Sequence, residues 1–579
     1  MNEGNDDPSQ SQNDDEVEEI KDESPENQNR ISSIDDFTLI TLEQGYENSK
    51  GRNRFYTINV FCIIMAYSLG GLFPYSIPFL TKVPSLKCMS FTQNTWEGCD
   101  KDQACSSQFM DYKINHNSHE TVTNWITSMD LLCKEDYVIG LFGSLYFVGF
   151  FIGSAFFLRF ADLKGRRVMV IIGIIGSVCC GFLIFVINNI ILTYLLMLVL
   201  GVFSSLRLLI SFLYAMELVP EIQKKTWNLI AGFMDAITMI FVAGWFFIIT
   251  YGESTIVLYI VTSCLSLYFV YKAPESPQYL YTKKKWGELH ASFAQISKIN
   301  GIEWNGYKFD REHLKENEFS IKKSCASMIK DKQTFRNLMI MMMNWSTCSF
   351  SFYLLSYYTK YFKGNIYSNT ALLGLADIFA TISMRGLQYY MPTKIGFVVS
   401  YCVVFVISCI YYIIQSQTVL VAICVLLMRY GVTVAFSFCY YGNSEYFQTD
   451  MSSTAFGVSN TMARFSTIVS PMVAEVLSQP IILVTLVTFG SAMVSFFLKK
   501  PQNILGIEDD EKNSQGEVPD AMREFYGIDP EGPMPKEERK SDLDHEDTRE
   551  YEEPELEAKK SMKEKFVIES ENDEDLDRI

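Results

Sequence analysis

The sequence predicts an all-α membrane protein with twelve spanning helices in two six-helix halves. Residues 141–180 hold two apolar runs, each close to the ~20 residues a helix needs to cross a bilayer. The turn between them, ADLKGRR, sets Lys164, Arg166 and Arg167 against Asp162, the charge bias of a cytoplasmic loop. Further along, a Lys-rich polar stretch divides the apolar runs into two equal groups.

The elements follow in order. Residues 1–50 are rich in Asp, Glu, Asn and Ser and predict a disordered acidic tail, because such a composition cannot bury enough apolar surface to offset the entropy of ordering. No apolar signal-peptide core precedes the first span. Lys50, Arg52 and Arg54 sit just before that span, expected over 55–75, and place the N-terminus in the cytoplasm. The polar loop 77–138 then falls outside. Its four cysteines, Cys88, Cys99, Cys105 and Cys133, suggest two disulfides with three possible pairings. It has no N-x-S/T acceptor.

Two spans come from the 141–180 hairpin. Spans four to six are expected over 190–213, 227–249 and 255–271, which closes a first half over 51–272. Residues 273–336 read as a basic cytoplasmic linker. Spans seven to twelve, over 338–357, 370–391, 395–414, 419–441, 455–477 and 481–498, form a second half over 337–500. The eleventh is the least apolar, with Asn460, Arg464 and Glu475. Residues 501–579 repeat the acidic, disordered composition, and an even span count puts both termini in the cytoplasm. The net charge of −18 therefore sits mainly in the tails and argues against nucleic-acid binding.

The chain has no P-loop pattern, no H-E-x-x-H and no C-x-x-C, and its five histidines fall in loops or tails. Nothing predicts an enzyme, a metal site or a cofactor.

Four stretches together resemble the organic ion transporter family (anion, cation and carnitine-type carriers) of the major facilitator superfamily. They are ADLKGRR; NWITSMDLLC before span two; APESPQYL after span six; and the pair NWSTCSFSFYLLSYYTKYFKGNIYSNTALLGLAD and FCYYGNSEYFQTDMSSTAFGVSNTMARFSTIVSP in the second half. The resemblance implies the major facilitator fold and secondary transport by alternating access, with a small organic ion as substrate. It also implies the lipid bilayer as surroundings, the plasma membrane as location, and a coupled ion or exchanged anion as further partner. The chain departs from the family at Glu445-Tyr446-Phe447-Gln448-Thr449-Asp450-Met451-Ser452, which lacks the family's Pro and Arg. It departs again at Met391–Gly396, where a second G-R-R-type turn is missing, and at Leu158, where a Gly usually opens the first turn.

Charges inside spans are costly, by ~2.5 kcal/mol or more, and face the bundle interior with a partner or a task. Those here are Arg207, Asp235, Asp377, Arg385, Arg429 and Arg464. The resemblance implies that Arg464 marks an anion or zwitterion carrier, since cation carriers have Asp there. Its fork fits a carboxylate, and pairing with Glu475 is the alternative. Arg429 matches a basic family position. Arg385 lies one turn from Thr381, where anion carriers often have Lys, and is expected there or paired with Asp377 or Asp235. Arg207 is a further substrate-binding candidate with no family counterpart. Tyr353 and Trp345 are candidate cavity aromatics; packing is the alternative.

Glu217 and Glu445 occupy matching places in the two halves. They predict a conformational latch with Asp162, Gly165, Arg166 and Arg167. The favoured substrates are organic anions or zwitterions. An organic cation carrier using Asp235 or Asp377 is the alternative, as is a transporter-derived membrane subunit or receptor that no longer transports.

Overall fold

The computed structural model describes residues 39–500 apart from 91–94, 107–108, 119, 310–327 and 329; the acidic tails at 1–38 and 501–579 lie outside the described residues. Among the described residues ten helices are long and apolar enough to cross a membrane: α1 (Phe55–Leu80), α2 (Asp136–Lys164), α3 (Arg166–Val186), α4 (Ile190–Glu217), α5 (Glu221–Ile248), α6 (Glu253–Lys272), α7 (Lys332–Tyr358), α8 (Ile366–Tyr390), α9 (Thr393–Ile414) and α10 (Thr418–Tyr446). Two more complete the bundle. α11 (Thr449–Val476) is long but more polar, and α12 (Ile481–Ser495) is apolar but has 15 residues. These are the twelve expected spans, with α1 running past its expected end to Leu80.

Several starts are fixed by side-chain caps, in which an Asn or Asp oxygen accepts otherwise unpaired N–H groups. Asn189 caps α4, Asp331 caps α7 and Asn365 caps α8. Within the first half α4 packs on α2 and α3, and α3 on α6. Within the second, α7 packs on α10 and α11, and α9 on α10 and α12. The halves meet through α5 against α8 and α2 against α11. The α2–α4 crossing depends on glycine: a Cβ at Gly149 would strike the Leu198 carbonyl, and one at Gly201 the Tyr146 carbonyl. Close backbone approach of this kind is a common solution where lipid gives no hydrophobic drive between helices.

The α1–α2 loop is an ordered unit. Strands β2 (Leu86–Ser90), β3 (Trp96–Cys99) and β4 (Phe109–Ile114) form a sheet in the order β3-β2-β4. The disulfides are Cys88–Cys99 and Cys105–Cys133, one of the three pairings left open by the sequence. They enclose separations of 11 and 28 residues. Loop-closure entropy makes the longer one the more stabilising, by about 0.8 kcal/mol. The double variant Cys105→Ser/Cys133→Ser is therefore expected to lower Tm more than Cys88→Ser/Cys99→Ser, as measured by thermal unfolding of purified protein. The NWITSMDLLC stretch anchors this loop. Asn124 donates to the carbonyls of Phe79 and Lys82 at 2.8 Å, and Trp125 is buried.

The expected disorder over 1–50 is corrected at its end. Strand β1 (Leu39–Ile40) pairs in parallel with β5 (Lys308–Phe309), followed by a short helix, Leu42–Asn48, capped by Thr41. Tyr46 is buried against Phe293, and its hydroxyl donates to the Glu217 carbonyl at 2.6 Å. A few apolar residues among many acids thus find a surface. That surface comes from the linker, whose described part holds helices Pro277–Thr282 and Trp286–Asn300.

Candidate binding cleft

The two ends of the bundle differ. At the end carrying the disulfide loop the halves are joined. Lys360, just past α7, donates to the Thr81 carbonyl and hydroxyl beyond α1 at 2.8 and 3.0 Å. It also forms a buried ion pair with Glu475 of α11 at 2.7 Å, each side chain 2% exposed. Tyr361 donates to the other Glu475 oxygen at 2.6 Å. Nearby, Phe79 stacks on Tyr367, Gly143 lies against Pro471, and the Ser144 hydroxyl donates to the Ile468 carbonyl. The hydrogen bonds of Lys360 and Ser144 thus join the halves at this end. A cavity of about 1040 Å³ on this face is lined by Lys82, Lys101, Asp136, Lys360 and Glu475. None of the charged groups of the central cleft lines it.

Below this seal, α1, α5, α7, α10 and α11 converge. Asp235 of α5 accepts a hydrogen bond from Tyr75 at 2.9 Å and has no cation within ion-pair distance among the described residues. Arg464 of α11 also has no carboxylate partner. Its Cζ lies 5.0 Å from the Phe150 ring centroid, and its Nε is unpartnered. The expected alternative, a pair with Glu475, does not form: the two residues are about 16 Å apart along α11 at 1.5 Å per residue, and Glu475 pairs with Lys360. Tyr67 is in electrostatic range of Asp235, Tyr353, Tyr440 and Arg464 together, and the Tyr353 hydroxyl faces Arg464. One unpaired acid from the first half and one unpaired base from the second thus share a wall of tyrosines. The residues mix donors, acceptors and π faces, which suits a small charged organic molecule.

Of the other intramembrane charges, Arg429 and Asp377 border the same site, within electrostatic range of Asp235, but answer each other. Arg429 and Asp377 pair side-on at 2.8 Å through the guanidinium Nε and Nη2, with Arg429 fully buried. Thr433 adds a bond to Asp377, and Arg429 also donates to the Phe352 carbonyl and Ser356. This closed network leaves neither charge free for a ligand, and it corrects the expected Arg385–Asp377 pair. Arg385 is exposed near the far end of α8 and makes no ion pair among the described residues. Arg207 is sealed within the first half, bonded to the Ala66 carbonyl and Ser263. Trp345 is a fully buried core residue of the second half, packed edge-on against Phe436, Tyr440 and Phe456. Packing, not cavity lining, is its role here.

At the opposite end, the ADLKGRR turn builds a network of charged contacts. Gly165 has φ +105°, a conformation that a side chain disfavours; a Cβ there would meet Glu275. Arg166 then reaches Glu217 with a fork of bonds at 3.0–3.2 Å and Asp162 at 2.9 Å. Ser276 donates to Glu217 at 2.6 Å, and Tyr279 stacks on Arg166. Glu275 is the member that the sequence reading missed, although it stands in APESPQYL. Its carboxylate accepts the backbone N–H groups of Arg166, Arg167 and Ser276. Burial pushes that carboxyl above its ordinary value, while these bonds pull it back. Arg167 sends its side chain toward Tyr271 instead of Glu217. In the second half Glu445 pairs with Lys500 at 3.3 Å, not with Arg166 or Arg167. Where the family's Arg is missing, Ser452 and Asn443 exchange hydrogen bonds.

Among the described residues no three His, Cys, Asp or Glu side chains cluster so as to hold a metal. The profile of the Major Facilitator Superfamily matches residues 122–471. The chain belongs to this superfamily. Similar proteins include Solute carrier family 22 member 15-like of Xenopus laevis, 22% identical over 68% of this chain and 82% of that one. Organic cation/carnitine transporter 2 of Homo sapiens is 24% identical over 64% and 68% of the two chains. Among solved structures, the inward-open xylose transporter XylE of E. coli superposes with a TM-score of 0.52 at 13% identity, over 76% of this chain and 97% of that one, and shares the fold. This superfamily protein is a multi-pass membrane transporter, not an enzyme, and is similar to proteins of the solute carrier 22 group.

Proposed function

We propose that the protein carries small organic ions by alternating access, and that zwitterions or anions bearing a carboxylate fit it best. The observation that carries this reading is the pair of unanswered charges, Arg464 and Asp235, held in opposite halves around Tyr67 and Tyr353. The Arg464 fork would take the carboxylate. Asp235 and the tyrosine faces would take an ammonium. A substrate that touches both halves gives the rocking motion of a two-half carrier something to respond to. The relatives named for organic cation and carnitine transport support the class.

The positive-inside bias of the Arg166 turn and the 273–336 stretch favours a cytoplasmic latch end and cytoplasmic termini. The sealed disulfide end then makes this an inward-facing state, and the disulfides fit an oxidising exterior at the plasma membrane. A coupled ion or exchanged anion completes the cycle. Asp235 alone favours a second reading, an organic cation carrier, because a cation needs no Arg464.

The test is uptake into proteoliposomes of labelled zwitterions, anions and cations by wild type and Arg464→Ala. Carboxylate-bearing substrates are expected to be taken up by the wild type and to lose at least about tenfold in the variant, the scale of one lost charge-assisted bond. Cation uptake indifferent to the change would establish the second reading. Absence of all uptake by folded wild type would point to a subunit or receptor that no longer transports.

A further inference from the structure

Arg207 is a buried charge with no carboxylate partner among the described residues. Its side chain is 0% exposed, and an arginine does not deprotonate in proteins. Nε donates to the Ala66 carbonyl of α1 at 3.2 Å and Nη1 to Ser263 of α6 at 2.6 Å. Its Cζ lies 5.2 Å from the Tyr259 ring centroid. Nη2 has no partner, and no carboxylate of the described residues pairs with it. The contrast with Arg429, whose fork is fully answered by Asp377, shows what a neutralised arginine looks like in this bundle.

The surroundings repeat this pattern. Tyr146 of α2, Ser204 of α4 and Tyr259 of α6 all have buried hydroxyls without a hydrogen-bond partner. Ser204 precedes Arg207 by one helical turn. Tyr146 is within interaction range of Tyr259 and Arg207, and its hydroxyl is within hydrogen-bonding reach of Ser204. Three helices thus bring a guanidinium N–H and three rotatable hydroxyls to one neighbourhood, all unpartnered. Each can donate, and none is an obligate acceptor. Buried polar groups in native proteins are nearly always paired, so orphans gathered around a fixed charge mark a missing partner.

We propose that the first half holds a small inorganic anion of halide size beside Arg207, coordinated by Nη2 and the hydroxyls of Ser204, Tyr146 and Tyr259. The anion neutralises a charge that the chain itself does not answer. It is separate from the substrate cleft, because Arg207 is closed off between α1, α4 and α6.

Chloride and bromide test this directly. Purified wild-type protein is unfolded thermally in sodium gluconate, with chloride or bromide replacing gluconate at constant ionic strength. A ligand that binds only the folded state raises Tm with a saturable dependence. The expected result is a saturable rise of several degrees that Arg207→Met abolishes and Arg464→Gln retains. If Arg207→Met fails to fold, Tyr259→Phe serves. It keeps the ring but removes one donor, and it is expected to raise the half-saturating halide concentration at least about fivefold, one weak bond's worth. A crystal soaked in bromide should show an anomalous peak beside Arg207 Nη2. Halide-independent Tm in the wild type would overturn the proposal. So would a halide effect that persists unchanged in Arg207→Met or Tyr259→Phe, or that vanishes in Arg464→Gln, since each places the site elsewhere.

Discussion

Asp377→Ala is expected to cost about 3–5 kcal/mol of stability, because it leaves Arg429 charged and unanswered in the middle of the second half. Arg429 is fully buried, Asp377 meets it at 2.8 Å through two nitrogens, and Thr433 and Ser356 complete the network. Arg429→Leu should cost a similar amount, since Asp377 would then be the stranded charge. The double variant Asp377→Ala/Arg429→Leu should recover much of the loss, because replacing both partners of a buried pair is far less harmful than removing one. Thermal unfolding of the three variants in detergent measures this cycle. Single variants as stable as wild type would show that the pair does not fasten α8 to α10.

The second large effect is expected at Lys360. This side chain fastens α11 to α7 through Glu475 and also bonds Thr81 of the opposite half. Lys360→Met removes all three contacts and leaves Glu475 with Tyr361 alone. Losing one partner of a buried charge pair costs about 2–5 kcal/mol. The contacts to Thr81 exist only while the disulfide end is closed, so part of this cost falls on the closed state alone. A differential cost of about 2 kcal/mol would move the balance toward opening at that end by roughly 30-fold. Distances between spin labels placed at Lys134 and Lys363, one on each half, report it. The expected result is a longer-distance population in Lys360→Met. An unchanged distribution would mean that the seal rests on packing, for example Phe79 on Tyr367 and Gly143 on Pro471.

The parts legible in the sequence are those whose partners lie in short motifs or follow a simple pattern. Apolar runs and basic turns give the twelve helices. The reach from Arg166 to Glu217 is legible because both stand at helix ends on the same side of the membrane. The pairs that decided which charges remain free were not legible. Arg429 and Asp377 are 52 residues apart on different helices, and periodicity says only that each faces inward. Lys360 lies just beyond a span, where nothing in the local sequence marks it as buried, and its pairing with Glu475 comes from the fold alone. The folded piece at Leu39–Asn48 was hidden for a similar reason. Its acidic neighbours dominate the local composition, and the surface that orders Tyr46 comes from Phe293, far along the chain.

The most direct test of the central claim is calorimetric binding of a small betaine-type zwitterion and its methyl ester to wild type, Arg464→Gln and Asp235→Asn. If Arg464 answers the carboxylate, esterification should weaken binding to the wild type at least about tenfold and leave Arg464→Gln nearly indifferent. Asp235→Asn should still discriminate the two ligands while binding both more weakly. Equal discrimination by wild type and Arg464→Gln would contradict the account, because the carboxylate would then be read by some other group.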